Sequence, residues 1–290
     1  MSASPGSGLW RFEAIGTTWR IDTAQPLDAR TRAGVGAVID RFDRDWSRFR
    51  SDSLVSALAQ DGGVVPAPPD AAVLLDAYAA VSDATGGAVN PLVGDALARR
   101  GYDAGYSFVD GGAAPAPAAW RDEVRWDDGL LAVRHPHTID VGALGKGRLV
   151  DLVLAEVRAG GGGGAVVDAG GDVAVSGTTQ RIALEHPYDS ARAIGVWAVT
   201  DAALCASATN RRAWGDGLHH VLDARTGEPV RRYAATWAVA PDAMMADAVA
   251  TALFFEGGPR LAAQWHVAWV RMRTDGAVEW SPTSEAELFT

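Results

Sequence analysis

Two kinds of hydrophobic pattern alternate along this chain, and their order restricts the folds that are open to it. Residues 27–49 and 70–84 carry apolar side chains at helical spacing, and Gly86 and Gly87 close the second segment as a helix end. Residues 165–177 instead read AVVDAGGDVAVSG, which predicts a buried strand, a glycine turn and a second strand. Long helices mixed with antiparallel strands predict an α+β fold.

The rest of the chain continues this mixture of elements. Strands are predicted at residues 9–21, 130–136, 138–144, 181–186, 194–200, 217–223 and 234–240, with a closing hairpin at 267–281 around an Asp-Gly turn. Further helices are predicted after a cap at Ser51 or Asp52, from residue 145 up to the glycines at 160–164, and at 243–255. Loops are predicted at 61–70 and 101–119.

The glycine run at 160–164 bears on the number of domains. Five glycines suit either an ordinary connection between a helix and a strand or a linker between domains. We predict one domain over residues 1–290, with two closely packed lobes as the alternative and a flexible segment at 1–8.

Composition and charge exclude several classes of protein. Of the 290 residues, 48% are hydrophobic and 21% charged, as in soluble globular proteins. The net charge of −10 argues against a nucleic-acid partner, and a single cysteine allows no internal disulfide. The apolar runs are far shorter than the roughly 20 residues of a membrane-spanning helix, and the first residues lack the pattern of a signal peptide. We therefore expect a cytoplasmic protein without a membrane span.

The predicted helix at 243–255, AMMADAVATALFF, is apolar apart from Asp247 and Thr251. Residues four apart share a helix face, so these two side chains can aim oxygen ligands at one point. Hard cations such as Mg²⁺ bind oxygen ligands. A structural interpretation stays open, in which Asp247 pairs with an arginine and Thr251 bonds back to its own helix.

A second candidate site lies in the segment at 138–152, TIDVGALGKGRLVDL. Glycines at 142, 145 and 147 let the backbone approach a ligand closely. Lys146 stands at a predicted helix start, where free N–H groups and the helix dipole favour an anion. The spacing differs from that of a Walker A motif, and a tight glycine turn with Lys146 in solvent explains the segment equally well.

Two adjacent histidines occur in the predicted strand at 217–223. Successive strand residues point to opposite faces, so only one of His219 and His220 can face a given site. A neutral imidazole near pH 7 can take a proton from a hydroxyl group. The turn at Gly170, Gly171 and Asp172 reads equally well as a hairpin turn or as part of a site.

Taken in order, five segments resemble blocks of the FAD:protein FMN transferase family, known as the ApbE family. They read AIGTTWRI, SRFRSDSLVSAL, TGGAVNPLVGDAL, IDVGALGKGRLVD, and a late group of VDAGGDVAVSG, HHVLDARTGEP and VAPDAMMADAVATALF. The late group is the most specific, and the resemblance spans roughly residues 10–280. It implies an α+β fold related to T-fold proteins, with antiparallel sheets and packed helices.

The resemblance also implies a reaction. Members of the family cleave FAD with Mg²⁺, join FMN through a phosphoester bond to a Ser or Thr of a partner flavoprotein, and release AMP. Some members instead hydrolyse FAD to FMN and AMP. A third alternative is an FAD-binding protein without turnover.

The family pattern assigns roles to individual positions. The implied metal ligands are Asp247, Thr251 and the backbone carbonyl of Gly145. His220 is the implied base for the acceptor hydroxyl, so His220 and Asp247 are the predicted catalytic residues. The groups implied to lie along FAD are Ile15, Gly16, Thr17, Phe49, Ala88, Val89, Asn90, Asp140, Gly142, Lys146, Arg148, Gly170, Gly171, Asp172, Ser207, Asp223, Thr226 and Gly227.

Two departures from the family pattern favour the non-catalytic alternative. The family's Ala-Phe-Asp is Ala-Val-Asn at 88–90, which replaces an acidic contact by the neutral Asn90. The block usually written Thr-Ser-Gly is Ala-Ser-Ala at 206–208. Neither departure touches the predicted metal pair.

Overall fold

The computed structural model describes residues 8–161 and 163–289. Its helices are α1 (Ala29–Trp46), α2 (Leu54–Asp61), α3 (Ala71–Thr85), α4 (Gly94–Arg99), α5 (Trp120–Glu123), α6 (Gly145–Ala159), α7 (Ala243–Ala252) and α8 (Gly258–Gln264).

The strands are mostly short. In chain order, the first nine are β1 (Gly8–Ala14), β2 (Thr17–Thr23), β3 (Gly63–Pro66), β4 (Val124–Arg125), β5 (Leu130–Val133), β6 (Ala165–Asp168), β7 (Asp172–Ser176), β8 (Thr179–His186) and β9 (Asp189–Thr200). The others are β10 (Ala203–Ala208), β11 (Ala213–Trp214), β12 (Leu218–His219), β13 (Leu222–Asp223), β14 (Glu228–Pro229), β15 (Tyr233–Ala240), β16 (Ala268–Arg273), β17 (Val278–Trp280) and β18 (Glu287–Leu288).

One large sheet organises the molecule. It has eight strands in the order β1-β2-β6-β7-β10-β15-β16-β17, and each neighbouring pair is antiparallel. Smaller sheets form from β18-β9-β8 and from β3-β5-β4, and β11-β12 and β13-β14 form two-stranded pairs. The α+β prediction with antiparallel sheets is confirmed.

The central strands of the large sheet contribute alternate side chains to two cores, one on each face of the sheet. Along β7, Ala174 joins the core under the helices, whereas Val173 and Val175 join a second core under the sheet β18-β9-β8. Along β10, Cys205 and Leu204 divide in the same way. Helices α6 and α7 pack on the first face, and α1 packs against α6. The sheet therefore lies between a helical layer and a small sheet.

Local signals explain where the main helices begin and end. Asp28 caps α1 by accepting a hydrogen bond from Thr31 N at 2.7 Å, and Asp242 caps α7 by accepting one from Met245 N at 2.8 Å. Helix α3 ends at Gly86 in the left-handed conformation, with a φ of 61°. The predicted glycine end of this helix is confirmed.

Several strand predictions need correction. The segment 9–21 is not one strand but the hairpin of β1 and β2, which turns at Ile15 and Gly16 with φ values of 45° and 72°. Residues 138–144 form no strand, because their polar groups bond to side chains described below. The prediction at 217–223 was also wrong in detail, since β12 and β13 are separate two-residue strands. Strand β10 was missed.

Helix and loop predictions were closer to the structure. Helix α2 is capped by Ser53, which accepts from Ser56 N at 3.1 Å, rather than by Ser51 or Asp52. Helix α7 ends at Ala252, three residues before the predicted end. The predicted loop at 61–70 contains the edge strand β3. The closing hairpin is confirmed, because β16 and β17 pair across the Asp-Gly turn.

Other predictions concern the chain termini, membrane spans, domain number and location. Residues 1–7 of the predicted flexible segment lie outside the described residues, and Gly8 begins β1. Of the helices between residues 8 and 289, leaving out residue 162, none is both long and apolar enough to cross a membrane. The single-domain organisation and the cytoplasmic location stay predictions.

Candidate functional site

A cavity of about 790 Å³ opens where the helical layer meets the loops at one end of the large sheet. Its volume lies within the range of small-molecule sites. The lining comes from Ile15 and Gly16, from segments within 42–50, 88–97, 102–108, 140–146, 207–214 and 220–222, and from Tyr78, Thr251 and Phe255.

The charge of this lining is opposite to that of the whole chain. Five cationic side chains face two acidic ones in the cavity, although the net charge of the chain is −10. A local cationic cleft in an acidic protein favours an anionic ligand. The cationic residues are Arg48, Arg50, Lys146, Arg211 and Arg212, and the acidic ones are Asp43 and Asp140.

The glycine-lysine segment forms one wall, and side chains hold its backbone in place. Asp140 Oδ1 accepts a hydrogen bond from Gly142 N at 2.7 Å, and Asp140 Oδ2 lies 2.5 Å from Arg48 Nε. Tyr78 Oη donates to the carbonyl of Asp140 at 2.9 Å and accepts from Ala143 N at 3.3 Å. These bonds replace strand pairing, which explains why 138–144 is not a strand. Tyr78 and Arg48 were not recognised from the sequence.

The start of α6 differs from the predicted phosphate cradle. Gly145 N and Arg148 N donate to backbone carbonyls, and Gly147 N donates to Asp247 Oδ2 at 2.9 Å. These three N–H groups, which the sequence suggested for anion binding, therefore donate hydrogen bonds within the protein. The side chain of Lys146, rather than the helix start as a whole, is the cation that faces the cavity.

Helices α6 and α7 approach closely at Gly147. A Cβ atom on Gly147 would overlap the carbonyl of Ala243 and lie 2.8 Å from the Cβ of Asp247. Asp151 on α6 also accepts hydrogen bonds from Ala243 N at 2.7 Å and from Met244 N at 3.0 Å, at the start of α7. The glycine therefore serves helix contact rather than contact with a ligand.

Asp247 and Thr251 lie on the same face of α7, one turn apart, as the spacing predicts. Asp247 is 5% exposed, and Thr251 lines the cavity, where its Oγ1 donates to the carbonyl of Ala143 at 3.0 Å. The carbonyl beside this pair thus belongs to Ala143. Gly145 is the first residue of α6, where carbonyls point along the helix towards the residue four positions later.

The ionisable groups behind this wall shift one another's pKa values. Lys146 Nζ lies 2.7 Å from Oδ2 of the fully buried Asp172, but neither Asp172 oxygen has a well-aligned hydrogen bond. Burial, followed by the charge of Asp172, raises the pKa of Asp247 well above its usual value. Burial opposes the charge of Lys146, yet Asp172 and Asp247 outweigh it and raise the pKa of Lys146. Two buried carboxyl groups thus lie near one lysine, and a further cation beside them would favour the ionised form of Asp247.

The donor set fits a hard cation better than a transition metal. No group of three or more His, Cys, Asp or Glu side chains suited to a metal ion occurs in residues 8–161 and 163–289. The hydroxyl of Thr251 and the carbonyl of Ala143 meet instead, and the Asp247 carboxylate lies one turn away on the same face of α7. Mg²⁺ is commonly held by one or two carboxylates, with waters and substrate phosphates completing its coordination.

The two histidines divide as the alternation predicts. His219 is buried and structural: its Nε2 lies 2.9 Å from the carbonyl of Val230, and its Nδ1 accepts from Val221 N at 3.3 Å. His220 lines the cavity. Burial, and after it the charge of Arg212, lower the pKa of His220 to about 3. His220 is therefore neutral at pH 7.

An aromatic cluster forms another part of the cavity lining, beside Arg48. Phe49 stacks on Tyr106 with ring centroids 5.2 Å apart, and Tyr102 stacks on Trp214 at 5.5 Å. Phe108 packs near both Tyr106 and Trp214. Such flat, apolar surfaces suit a ring ligand. The sequence signal was present as three aromatics within 101–119, but the Gly- and Pro-rich composition favoured a plain surface loop.

The structure brings many of the predicted residues to this cavity. Those that line it are Ile15, Gly16, Phe49, Ala88, Val89, Asn90, Asp140, Gly142, Gly145, Lys146, Ser207, His220 and Thr251. Those that do not are Thr17, Arg148, Gly170, Gly171, Asp172, Asp223, Thr226, Gly227 and Asp247. Of the second group, Asp172 and Asp247 lie directly behind Lys146 and Thr251.

Others in the second group have partners elsewhere. Arg148 donates twice to Oδ1 of Asp70, at 2.9 and 2.8 Å. Asp223 pairs with Arg225 at 2.6 Å. Both Asp223 and Thr226 line a second cavity, which shares the wall residue Phe255 with the first.

Two more predicted residues serve packing in turns. A Cβ atom on Gly170 would overlap Oγ1 of Thr17, and one on Gly227 would overlap the backbone of Ala114. Gly170 and Gly227 both have positive φ values, of 68° and 72°. A turn with positive φ and the close approach of neighbouring atoms therefore explain why both positions are glycine.

Comparison with known proteins identifies the family. The model of the ApbE family matches residues 15–269. The chain belongs to the ApbE family. The family resemblance read from the sequence is thereby confirmed.

ApbE relatives with curated names support this membership. The chain is 28% identical over 308 residues to a FAD:protein FMN transferase of Rhodobacter capsulatus, covering 96% of this chain and 57% of the relative. It is 28% identical over 247 residues to a FAD:protein FMN transferase of Treponema pallidum (strain Nichols), covering 73% of this chain and 67% of the relative. The chain thus spans little more than half the length of the first of these ApbE relatives.

Solved ApbE structures share the fold. The ApbE protein of Thermotoga maritima MSB8 is 24% identical with a TM-score of 0.79, covering 96% of this chain and 97% of that chain. The flavin transferase ApbE of Vibrio cholerae is 20% identical, with the same TM-score and the same coverage. The eight-stranded sheet with its helical layer is therefore an ApbE-type fold.

Proposed function

We propose that this protein is a Mg²⁺-dependent FAD:protein FMN transferase, which attaches FMN to a Ser or Thr of a partner flavoprotein and releases AMP. The observation that carries the proposal is that Thr251, the Ala143 carbonyl, Lys146 and His220 line one cavity, with Asp247 one helical turn before Thr251 on the same face of α7. The names of the curated relatives support the same reaction.

We assign the metal to the oxygens of Asp247, Thr251 and Ala143. Burial, followed by the charge of Asp172, raises the pKa of Asp247, and a cation at this place would favour the ionised form of Asp247 that can bind a metal. Bound there, Mg²⁺ would neutralise pyrophosphate oxygens and stabilise the leaving AMP. The proposal keeps Asp247 and Thr251 from the family pattern and favours Ala143 over Gly145 as the carbonyl ligand.

The rest of the cavity suits the two ends of FAD. Lys146 would hold the pyrophosphate, in a cavity whose cationic character opposes the net charge of the chain. The aromatic cluster around Phe49, Tyr106 and Trp214 offers stacking surfaces for a flavin or adenine ring. Asn90 is held by the carbonyl of Pro117 at 2.9 Å, so it supports the wall as an uncharged residue.

The transfer step needs a proton acceptor near the acceptor hydroxyl. The hydroxyl oxygen attacks the phosphorus of the FMN phosphoryl group, and the bond from that phosphorus to the bridging oxygen breaks, with its electron pair leaving on AMP. His220 is neutral at pH 7 and can accept the hydroxyl proton. Its pKa of about 3 makes it a weak base in the free protein, and the negative charge of a bound pyrophosphate would raise that pKa.

The test is to incubate the protein with FAD, MgCl₂ and a purified acceptor domain taken from a protein known to carry covalent FMN. We expect AMP in solution and an FMN-sized mass increase on the acceptor, observed by chromatography and mass spectrometry. An acceptor whose target residue is replaced by alanine is the control and should gain no mass. Neither AMP nor a mass increase would overturn the proposal.

The same experiment separates the alternatives. AMP and FMN released without the acceptor, at the same rate as with it, would identify an FAD pyrophosphatase. A rise in melting temperature with FAD but no AMP after long incubation would identify a non-catalytic FAD-binding protein.

A further inference from the structure

One cationic side chain of the cavity lacks a partner. Arg48 pairs with Asp140, Arg50 with Asp43 and Asp52, Lys146 with Asp172, and Arg211 with Glu185. Throughout residues 8–161 and 163–289, Arg212 has no carboxylate within 4.0 Å and no hydrogen bond from its guanidinium group. A charged group exposed in a cavity and left without a partner is available to a ligand.

The chain places Arg212 beside the proposed base. The carbonyl of Arg212 accepts a hydrogen bond from His220 N at 3.2 Å, and both residues line the cavity. The electrostatic effects agree with this position. Burial lowers the pKa of His220 and the Arg212 charge lowers it further, while the same charge opposes the rise that burial causes in the pKa of Tyr102. The guanidinium group of Arg212 therefore lies close enough to both His220 and Tyr102 to affect their pKa values.

We propose that Arg212 is a catalytic residue, whose guanidinium group contacts the nonbridging oxygens of the phosphoryl group during its transfer. This assignment rests on the proposed function. As the acceptor oxygen bonds to phosphorus and the bond to the AMP oxygen breaks, negative charge builds on those oxygens. A planar guanidinium can donate two parallel hydrogen bonds to them, and no further reactant is needed.

The neighbouring residue provides a matched comparator. Arg211 is adjacent and also exposed, but its guanidinium group is turned to Glu185 at 2.9 Å. Both arginines lie between β10 and β11, outside the hydrophobic core. We therefore expect Arg212→Ala and Arg211→Ala to fold alike, with melting temperatures close to that of the unchanged protein.

The experiment measures AMP release with FAD, MgCl₂ and the acceptor domain, and FAD affinity by quenching of flavin fluorescence. For Arg212→Ala we expect kcat to fall about 100-fold or more, as when one charge-stabilising donor is removed, with the Kd for FAD changed by less than about fivefold. Arg212→Lys should retain part of the rate, and millimolar guanidinium chloride should restore part of the rate of Arg212→Ala. The fall in kcat for Arg211→Ala should be at least tenfold smaller than the fall for Arg212→Ala.

Two outcomes would overturn the assignment alone. One is an active parent protein in which Arg212→Ala keeps kcat within threefold. The other is a loss in Arg212→Ala that is matched by Arg211→Ala or follows entirely from weaker FAD binding. A parent protein that releases no AMP would overturn the proposed function and this assignment together.

Discussion

The two walls of the cavity are built in different ways. The helical wall, formed by the start of α6 and by α7, holds Asp247 and Gly147 in buried, hydrogen-bonded positions. The loop wall, formed by residues 102–108 and by Trp214, leaves Tyr106 and Phe108 nearly half exposed. The comparison indicates that the helical wall holds the reacting groups in place, whereas the loop wall contacts the bound ligand. Changes in the helical wall should therefore affect folding and chemistry, and changes in the loop wall mainly binding.

The substitution expected to disturb the helical wall most is Gly147→Ala. The added methyl group meets the backbone of Ala243 and the Cβ of Asp247, so α6 and α7 must separate. We expect a loss of about 1–3 kcal/mol or more in the free energy of unfolding, measured by urea denaturation, together with loss of activity.

A second helical glycine supplies the control. Gly36 lies within α1, and an added Cβ there meets nothing within 4 Å. Gly36→Ala should stabilise the protein by about 0.5–1 kcal/mol, because alanine favours a helix. Equal effects of the two substitutions would show that close packing at Gly147 is not what sets the distance between α6 and α7.

Asp247→Asn separates chemistry from folding in the same wall. Asparagine can still accept the hydrogen bond from Gly147 N but carries no charge for a cation. We expect Mg²⁺-dependent AMP release to fall about 100-fold or more. Since burial raises the pKa of Asp247 in the folded state, its ionisation costs stability as pH rises, and the variant should melt at the same or a higher temperature at pH 7. Retained activity would remove Asp247 from the metal site.

The link between α6 and α7 should depend on pH. Burial raises the pKa of Asp151 to about 6, although two backbone N–H groups oppose the shift. A group with a raised folded pKa contributes stability below its usual pKa of 3.8 and loses it as pH rises through about 6. Asp151→Asn should therefore gain stability relative to the parent between pH 4 and pH 7, by at most about 3 kcal/mol.

Denaturation at both pH values checks this expectation. Because the low pKa of His220 changes stability over an overlapping range in both proteins, only the difference between variant and parent is informative. If the difference in unfolding free energy between variant and parent does not change with pH, Asp151 ionises as in the unfolded chain. The contact between α6 and α7 then does not depend on its ionisation.

The helical wall was largely predictable from the sequence. The four-residue spacing of Asp247 and Thr251 fixed their common face, because a helix has one local geometry. That only one of His219 and His220 faces the cavity was expected from strand alternation, although His220 lies between β12 and β13 and not in a strand. What the sequence could not reveal was the carbonyl beside Thr251, since Ala143 and Gly145 differ only in how the loop enters α6.

The loop wall and several binding assignments were beyond local reasoning. Arg148 is held by Asp70, which lies 78 positions earlier in the chain, and no local pattern predicts such a pairing. Likewise, Tyr102 and Trp214 meet only because two distant loops fold over the same cavity. Residues whose roles depend on long-range contacts need the fold before their roles can be assigned.

The smallest expected effect tests whether the loop wall contributes only to ligand binding. Tyr106 stacks on Phe49 at the rim and is 46% exposed. Tyr106→Ala should weaken FAD binding about 3- to 10-fold, the range expected for one lost aromatic contact of about 0.5–1.5 kcal/mol, with little change in melting temperature. Val109→Ala is the control, because Val109 is exposed on the same loop but does not line the cavity. A large loss of stability in Tyr106→Ala, or equal binding by both variants, would remove the distinction between the two walls.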